Sequence, residues 1–416
     1  MTVWSPEWRI LVDDQDLTNI TLVGLTITTG RTTIYNQPQA GYCSVQLINT
    51  NETFYDITVN SKLTVEIKNS SGNYIALFGG YISDVTNTVN TAGAGGVVTR
   101  LDILALGAIS KLYKAIWESH LDKADDGDQI YAILSELLLN SWNEVPAAEQ
   151  WTNYDPNETW AEAQDIGLGM IDQPGQYEMI QRSADPIDFY TIISQIANSA
   201  LGYIYEDANG NIGYADAASR QDYLIANGYI ELDGGAALGA GIRTTIANGN
   251  IVNKYILNYG NNFNSQEVAL DQGSIDEFGL YSVNVYSNVD DATDAQNIAE
   301  RQIQLRAYPR PLFDSITFAL QNPEIDDTDR DALLNVFMGL PVKIVNLPRT
   351  ISNGEFTGYV EGWSFRATVS GLTLSLTVSP TEFSAVAQNW NQVNAAESWN
   401  SVLNTLEWQD AIGVIS

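Results

Sequence analysis

The sequence predicts a β-rich α+β fold in which two similar β-modules flank a mixed α/β middle region. Three observations carry this reading. Near the N-terminus, Leu63-Thr64-Val65-Glu66-Ile67 is followed by Phe78-Gly79-Gly80-Tyr81-Ile82 and an alternating run around Leu101-Asp102-Ile103-Leu104. Near the C-terminus, Leu340-Pro341-Val342-Lys343-Ile344, Phe356-Thr357-Gly358-Tyr359-Val360 and Leu372-Thr373-Leu374-Ser375-Leu376 follow in the same order at similar spacings. Both sets alternate apolar and polar residues, the period of a strand with one buried face. Between them, apolar residues recur at three- and four-residue steps, the period of a helix. An internal repeat supplies two similar docking surfaces, as ring- and stack-forming proteins need. Short strand patterns also resemble one another by chance, and the sequence leaves both explanations standing.

The elements follow in order. From Glu7 to Leu112 the chain is strand-rich, with Asn69-Ser70-Ser71-Gly72-Asn73 as a hairpin turn and Gly93 to Gly96 as a flexible tip. Ile130, Ile133, Leu134, Leu137 and Leu138 form a helical stripe, and Asp126 and Asp128 suit its positive end. Trp142 to Tyr177 reads as a long polar loop, the kind that often makes contacts. Asp185 as cap and Pro186 at the first helical position start a second helix with Phe189, Ile192, Ile193 and Ile196 on one face. Asn209-Gly210 between Tyr/Ile runs marks a hairpin. Ile251 to Tyr259 and Leu280 to Tyr286 are strands, and Asp291 caps a third helix that Pro309 and Pro311 stop. The second β-module starts at Leu312. After it, Trp390, Trp399 and Trp408 recur every nine residues among Asn and Ser. These segments divide the chain at 1–115, 116–235, 236–308, 309–383 and 384–416.

Composition narrows the function classes. With 416 residues there is room for two to four domains with real cores. Acidic residues number 51 against 19 basic ones, a net charge of −32, which argues against broad attraction to nucleic-acid phosphate. The acids are spread through the chain, which suits a structured protein with a repulsive surface. The single Cys43 excludes an intrachain disulfide and sits in a strand-like run, as a small buried residue does. No secretory signal opens the sequence, and no apolar run of about eighteen residues provides a membrane span.

Candidate chemistry is sparse. The one histidine, His120, would have to act alone as a catalytic base, with no nucleophile elbow nearby. Cys/His clusters for zinc and glycine-rich phosphate loops are absent from the sequence. Asp125-Asp126-Gly127-Asp128 and Asp207-Ala208-Asn209-Gly210-Asn211 resemble fragments of calcium loops but fit a helix start and a hairpin better. Thus no catalytic, cofactor or metal residue is assigned. Carboxylate-based hydrolysis of cell-wall glycans is not excluded by composition. The tryptophans are either carbohydrate platforms, as in an adhesin, or packing anchors. Their even spacing in one short tail favours docking on a partner, with local packing under the second module as the alternative.

A wider succession of segments is informative. It runs from Ile251-Val252-Asn253-Lys254-Tyr255 through Gln272-Gly273-Ser274-Ile275-Asp276, the helix around Ala299 and Tyr308-Pro309-Arg310-Pro311 to Met338-Gly339-Leu340-Pro341-Val342. Together with Ser183 to Tyr214 and the opening module, this succession resembles the hub, or minor tail, proteins of tailed bacteriophages over most of residues 1–380. The resemblance implies two tail-tube-type β-barrels per chain. It implies a homotrimer whose six barrels match a hexameric tube, at the distal end of the virion tail. Its partners would be the tail tube or distal tail protein and the tip or receptor-binding proteins, with DNA only as a non-sticking passage. The functional surfaces of such proteins are interfaces, so no enzyme activity is implied. In this setting the acidity would line a DNA conduit, or would serve solubility alone.

Overall fold

The computed structural model describes residues 4–138 and 167–381, apart from 14, 18–19, 51–52, 92–95, 238–240, 247, 310–311, 352–353 and 370. The first module contains β1 (Trp8–Val12), β2 (Gln15–Asp16), β3 (Thr21–Gly30), β4 (Tyr42–Asn49), β5 (Lys62–Lys68), β6 (Tyr74–Thr91) and β7 (Val98–Gly107). Alternation does what period two requires. Leu25, Ile27, Cys43, Val45, Leu47, Leu63, Val65, Ile67, Leu101 and Ile103 are buried, while their chain neighbours face outward. The β5–β6 hairpin turns where expected, with Gly72 at φ 83° and its N–H donating to the Asn69 carbonyl.

The middle region follows with β8 (Ile116–Trp117), β9 (Ala124–Asp125), α1 (Asp126–Leu138), β10 (Leu168–Ile171), β11 (Glu178–Met179), β12 (Ile187–Asp188), α2 (Phe189–Ser199), β13 (Tyr203–Glu206), β14 (Ile212–Ala215) and α3 (Ser219–Asn227). Asp188 caps α2 by accepting from the Thr191 N–H, three residues beyond the expected Asp185. The reason is local: Ile187 and Asp188 pair with Trp117 and Ile116, which holds the backbone extended past Pro186. Asn209-Gly210 closes the β13–β14 hairpin as expected, with Gly210 at φ 87°. Of the loop expected over Trp142 to Tyr177, residues up to 166 lie outside the described residues. Beyond them, β10 pairs parallel to β14.

Then come β15 (Ile230–Asp233), β16 (Arg243–Thr245), β17 (Lys254–Tyr259), β18 (Ser265–Leu270), α4 (Gln272–Phe278), β19 (Ser282–Tyr286) and α5 (Ala292–Arg306). Asp291 caps α5 as expected. The three strands β18-β17-β19 form a separate sheet that packs on α5, and both join the middle region in one hydrophobic core. The chain ends with β20 (Leu312–Ala319), α6 (Asp327–Leu334), β21 (Pro341–Val345), β22 (Phe356–Thr368) and β23 (Gly371–Pro380).

Thirteen strands form one large, mainly antiparallel sheet. Its first half runs β3-β4-β7-β6-β5-β1 and its second half β16-β20-β23-β22-β21-β15. In chain order the two halves match strand for strand, apart from β2, which has no counterpart among the described residues. The counterparts are β1 and β15, β3 and β16, β4 and β20, β5 and β21, β6 and β22, β7 and β23. One pairing differs in sense, since β1 meets β5 antiparallel and β15 meets β21 parallel. The match extends to irregularities. Gly80, Tyr81 and Ile82 pair with Gly107, Leu106 and Ala105, then a bulge leaves Ser83 between registers. Gly358, Tyr359 and Val360 pair with Pro380, Ser379 and Val378, then a bulge leaves Glu361 between registers. A shared bulge is not a consequence of alternation, so the repeat is structural and not a chance likeness.

Sequence alignment places two pieces of the repeat imperfectly. Leu63 pairs with Gly80 and Val342 with Gly358, so Leu63 corresponds to Val342 and not to Leu340. A slip of two residues preserves the buried face, so alternation alone does not detect it. The second module also draws β15 and β16 from upstream of the boundary placed at 309, because short strands carry little periodic signal. The segment from β17 to α5 is an insertion between β16 and β20.

The halves join edge to edge. Gly362 to Thr368 of β22 pair antiparallel with Gly30 to Gly24 of β3. At the end of this ladder Gly30 has φ 94°, and a Cβ there would lie 2.4 Å from the Glu361 carbonyl oxygen. Gly30→Ala is therefore expected to destabilise the chain by at least the cost of the strained backbone, about 1–3 kcal/mol. A denaturant titration checks it; an unchanged midpoint would show that the close approach does not constrain the junction.

Candidate assembly surface

The β3–β22 junction is fastened by a buried ion cluster. The bulge turns Glu361 out of the strand's alternation, and its carboxylate is 1% exposed. Arg31, just past β3, donates from Nε to Glu361 Oε2 at 2.7 Å, and its backbone N–H reaches the Glu361 carbonyl at 2.8 Å. Arg220, at the start of α3, donates to both carboxylate oxygens at 2.6 and 2.9 Å. Ser379 Oγ donates to Oε1 at 2.5 Å. The Tyr203 ring lies under both guanidinium groups, 4.3 Å from Arg220 and 5.3 Å from Arg31. Three parts of the chain, the two modules and the middle region, thus meet at one carboxylate.

Burial opposes ionisation of Glu361, but Arg220 and Arg31 outweigh it and hold its pKa down at about 2. Burial and the nearby Arg220 press Arg31 the other way, below its ordinary value despite its partner. Two cations on one carboxylate explain the difference: the cluster as a whole is short of negative charge.

Two other buried carboxylates tie the middle region down. Glu206 accepts from the N–H groups of Gly41 at 2.5 Å and Ile109 at 3.1 Å, and burial pushes its pKa up to about 7. Asp126 accepts from Gln176 and Tyr177 N–H and from the Tyr214 hydroxyl at 2.5 Å, and burial raises it to about 6. Asp126 opens α1, as expected of an acid at a helix start, and is also a buried tether. Asp207 accepts from the N–H groups of Asn209 and Asn211 within its own hairpin turn. Among the described residues, no group of three or more His, Cys, Asp or Glu is placed to hold a metal ion.

Opposite the apolar core, the large sheet has an open face that crosses both modules. Thr26, Thr28, Ser44, Gln46, Thr86, Thr88, Thr317, Ser364, Thr373 and Ser375 stand on it, and none is buried. Hydroxyls link across strands, Thr28 with Ser364 at 3.2 Å and Thr317 with Ser375 at 2.8 Å. Charged groups of both signs stand there, Asp84, Asp102, Glu66 and Glu231 with Arg9, Lys62, Arg100, Arg243, Lys343 and Arg366, and Arg100 pairs with Asp102 at 2.9 Å.

His120 is half-exposed, with Nε2 3.1 Å from Asp122 Oδ1. Ser119, beside it in sequence, turns its hydroxyl to the Glu136 carboxylate at 3.1 Å. Trp390, Trp399 and Trp408 lie outside the described residues. Sequence reasoning passed over Arg31, Arg220 and Glu361. The available signal was an acid between Val360 and Gly362-Trp363 in an otherwise apolar strand.

No family model matches this sequence, and no curated protein matches it. Solved structures do. The 43 kDa tail protein of prophage MuSo2 from Shewanella oneidensis superimposes with a TM-score of 0.57 at 11% identity, over 91% of this chain and 99% of that one. A tail protein from Neisseria meningitidis MC58 superimposes with a TM-score of 0.60 at 11% identity, over 92% and 98%. The chain has the fold of phage tail proteins. The likeness spans both modules and the middle region together, so the tail-protein fold here is the whole arrangement and not one shared domain.

Within this tail-protein fold the ion cluster is expected to govern response to acid. Glu361 is depressed below its unfolded value, so its stabilisation is full above about pH 4.5 and is lost as pH falls towards 2. Removing its charge leaves buried cations unpaired, and Glu361→Gln should cost about 3–5 kcal/mol at neutral pH. Glu206 has the opposite sign: its contribution is full below about pH 4.5 and is lost as pH rises through 7. Unfolding midpoints measured from pH 4.5 to 8 should therefore fall less steeply in Glu206→Gln than in the parent. Parallel pH profiles would contradict the assignment.

Proposed function

We propose that this chain is a structural virion protein of the hub ring at the distal end of a phage tail. It would join the tail tube to tip or receptor-binding proteins and line the DNA channel. The observation that carries the reading is the internal duplication, bulge for bulge, of a module joined edge to edge to its own copy. The likeness to phage tail proteins agrees with it. Two quasi-equivalent modules per chain let three chains present six, a number that matches a hexameric tube. The role is one of assembly and not of catalysis, in keeping with the buried cluster, which is enclosed and built for fastening.

In this reading the open sheet face lines the channel. That changes the electrostatic argument made from net charge. The face is rich in hydroxyls and carries charges of both signs among the described residues, and is not a wall of carboxylates. The many acids elsewhere serve solubility and spacing between neighbours.

Trp390, Trp399 and Trp408 are proposed to dock on a tip partner. Their nine-residue period fits neither a helix face nor a strand face, and suits an extended segment crossing several pockets. Each buried indole would contribute on the order of 2 kcal/mol. Deleting residues 385–416 is expected to leave a folded, assembling protein that no longer recruits the tip. Loss of folding, or intact recruitment, would contradict this role. The placement itself is tested by antibody labelling of intact virions: label confined to the tail end is expected, and label along the tube or on the head would overturn it.

A further inference from the structure

The inserted sheet β18-β17-β19 turns Tyr255, Leu257 and Tyr259 onto the core it shares with α5, and alternation turns the side chains between them outward. The register sorts the outward ones. Asn258 stands between Gln266 and Tyr286, and Ile256 between Val268 and Asn284. Lys254 follows, between Leu270 and Ser282. No carboxylate stands in these rows, although the chain has 51 acidic residues, and Lys254 is the one charged side chain there among the described residues.

Amides cross the middle of this face. Gln266 Nε2 donates to Asn258 Oδ1 at 3.1 Å, and Asn258 Nδ2 donates to Asn284 Oδ1 at 2.6 Å and to the Val285 carbonyl at 3.1 Å. The row of amides is thereby oriented, with the Gln266 Oε1 acceptor at one end and the Asn284 Nδ2 donors at the other. Both ends are exposed, and neither is spent on a bond within the chain among the described residues. Beside Asn258 lies an aromatic platform. The Tyr286 ring is 65% exposed, and Phe263 backs it at 5.3 Å with the ring planes 75° apart. The backing strains the backbone. The β17–β18 turn holds Asn262 at φ 57° and Phe263 at φ 54°, left-handed conformations that a bulky aromatic residue rarely adopts. Such strain persists where the structure over-determines it, and it clusters at binding sites.

We infer that this face binds a neutral glycan, with one sugar ring stacked on Tyr286 and its hydroxyls held by the ends of the amide row. The inference does not depend on where in the tail the chain sits. The chemistry selects the ligand class. A pyranose presents C–H groups that pack on an aromatic ring, and each of its hydroxyls can donate and accept, which suits one free acceptor and one set of free donors. A polyanion would need more cations than Lys254, and a metal ion would need carboxylates. An apolar protein surface would desolvate the amide ends without pairing them.

The test uses the full chain with an N-terminal affinity tag, applied to an array of immobilised neutral and anionic oligosaccharides and detected by antibody. Tyr286→Ala, Asn284→Ala and Tyr286→Phe are run beside it, with circular dichroism to confirm folding and native mass to report association. The parent should be retained on at least one neutral oligosaccharide. Tyr286→Ala and Asn284→Ala should each lower that retention at least about tenfold, while Tyr286→Phe keeps the stacking ring and most of the binding. Retention of no neutral oligosaccharide above the level of Tyr286→Ala would overturn the inference. So would equal retention of all variants, which would put the sugar elsewhere on the chain, and so would retention confined to anionic oligosaccharides. An oligomer that Tyr286→Ala disperses would make this face a contact between copies and overturn it as well.

Discussion

The structure depends on one joint, the edge-to-edge pairing of β3 with β22. A sheet edge is a row of unpaired backbone donors and acceptors, and a chain must pair it, cover it or expose it. Here one module's edge is paired by the other, and Glu361 locks the pairing with two arginines drawn from different parts of the sequence. Desolvating three charges is costly and a purely apolar joint could be as stable. What the cluster adds is position: a planar guanidinium on each side of one carboxylate admits few alternative registers. The bulge that aims Glu361 is therefore as important as the charge.

The duplicated module explains why a single chain needs so large a sheet. Each copy turns one apolar face to a core that the two share and leaves the other face open, so joining them produces a long surface rich in threonine and serine. The segment without a counterpart in the first module lies where it does not interrupt this surface. The segment from β17 to α5 enters between β16 and β20 and joins the core of the middle region instead. Glu206 and Asp126 hold that region in place through backbone N–H groups, whose hydrogen bonds partly offset the burial that disfavours their charge.

Much of the architecture was legible in sequence. Alternation located the strands of both modules, and turn chemistry at Gly72 and Gly210 located their hairpins. Asp291 and the proline pair bounded a helix correctly. What escaped had physical reasons. Asp185 is a good cap in isolation, but pairing of Ile187 and Asp188 with another segment moved the helix start, and a local rule does not see a distant strand. The repeat was aligned two residues off because period two is blind to even slips. Strands β15 and β16 are too short to show a period. The ion cluster was the least legible, since Arg31, Arg220 and Glu361 are scattered and form a unit only after folding.

The central proposal is that a chain holding two quasi-equivalent modules through one internal joint assembles, three copies together, into a ring of six such modules. Electron microscopy of the purified protein at assembling concentrations tests it most directly. The account requires closed rings whose averages show six similar lobes around a central channel, alternating in detail with threefold symmetry. Twofold particles joined through like surfaces, or open filaments without closure, would contradict it.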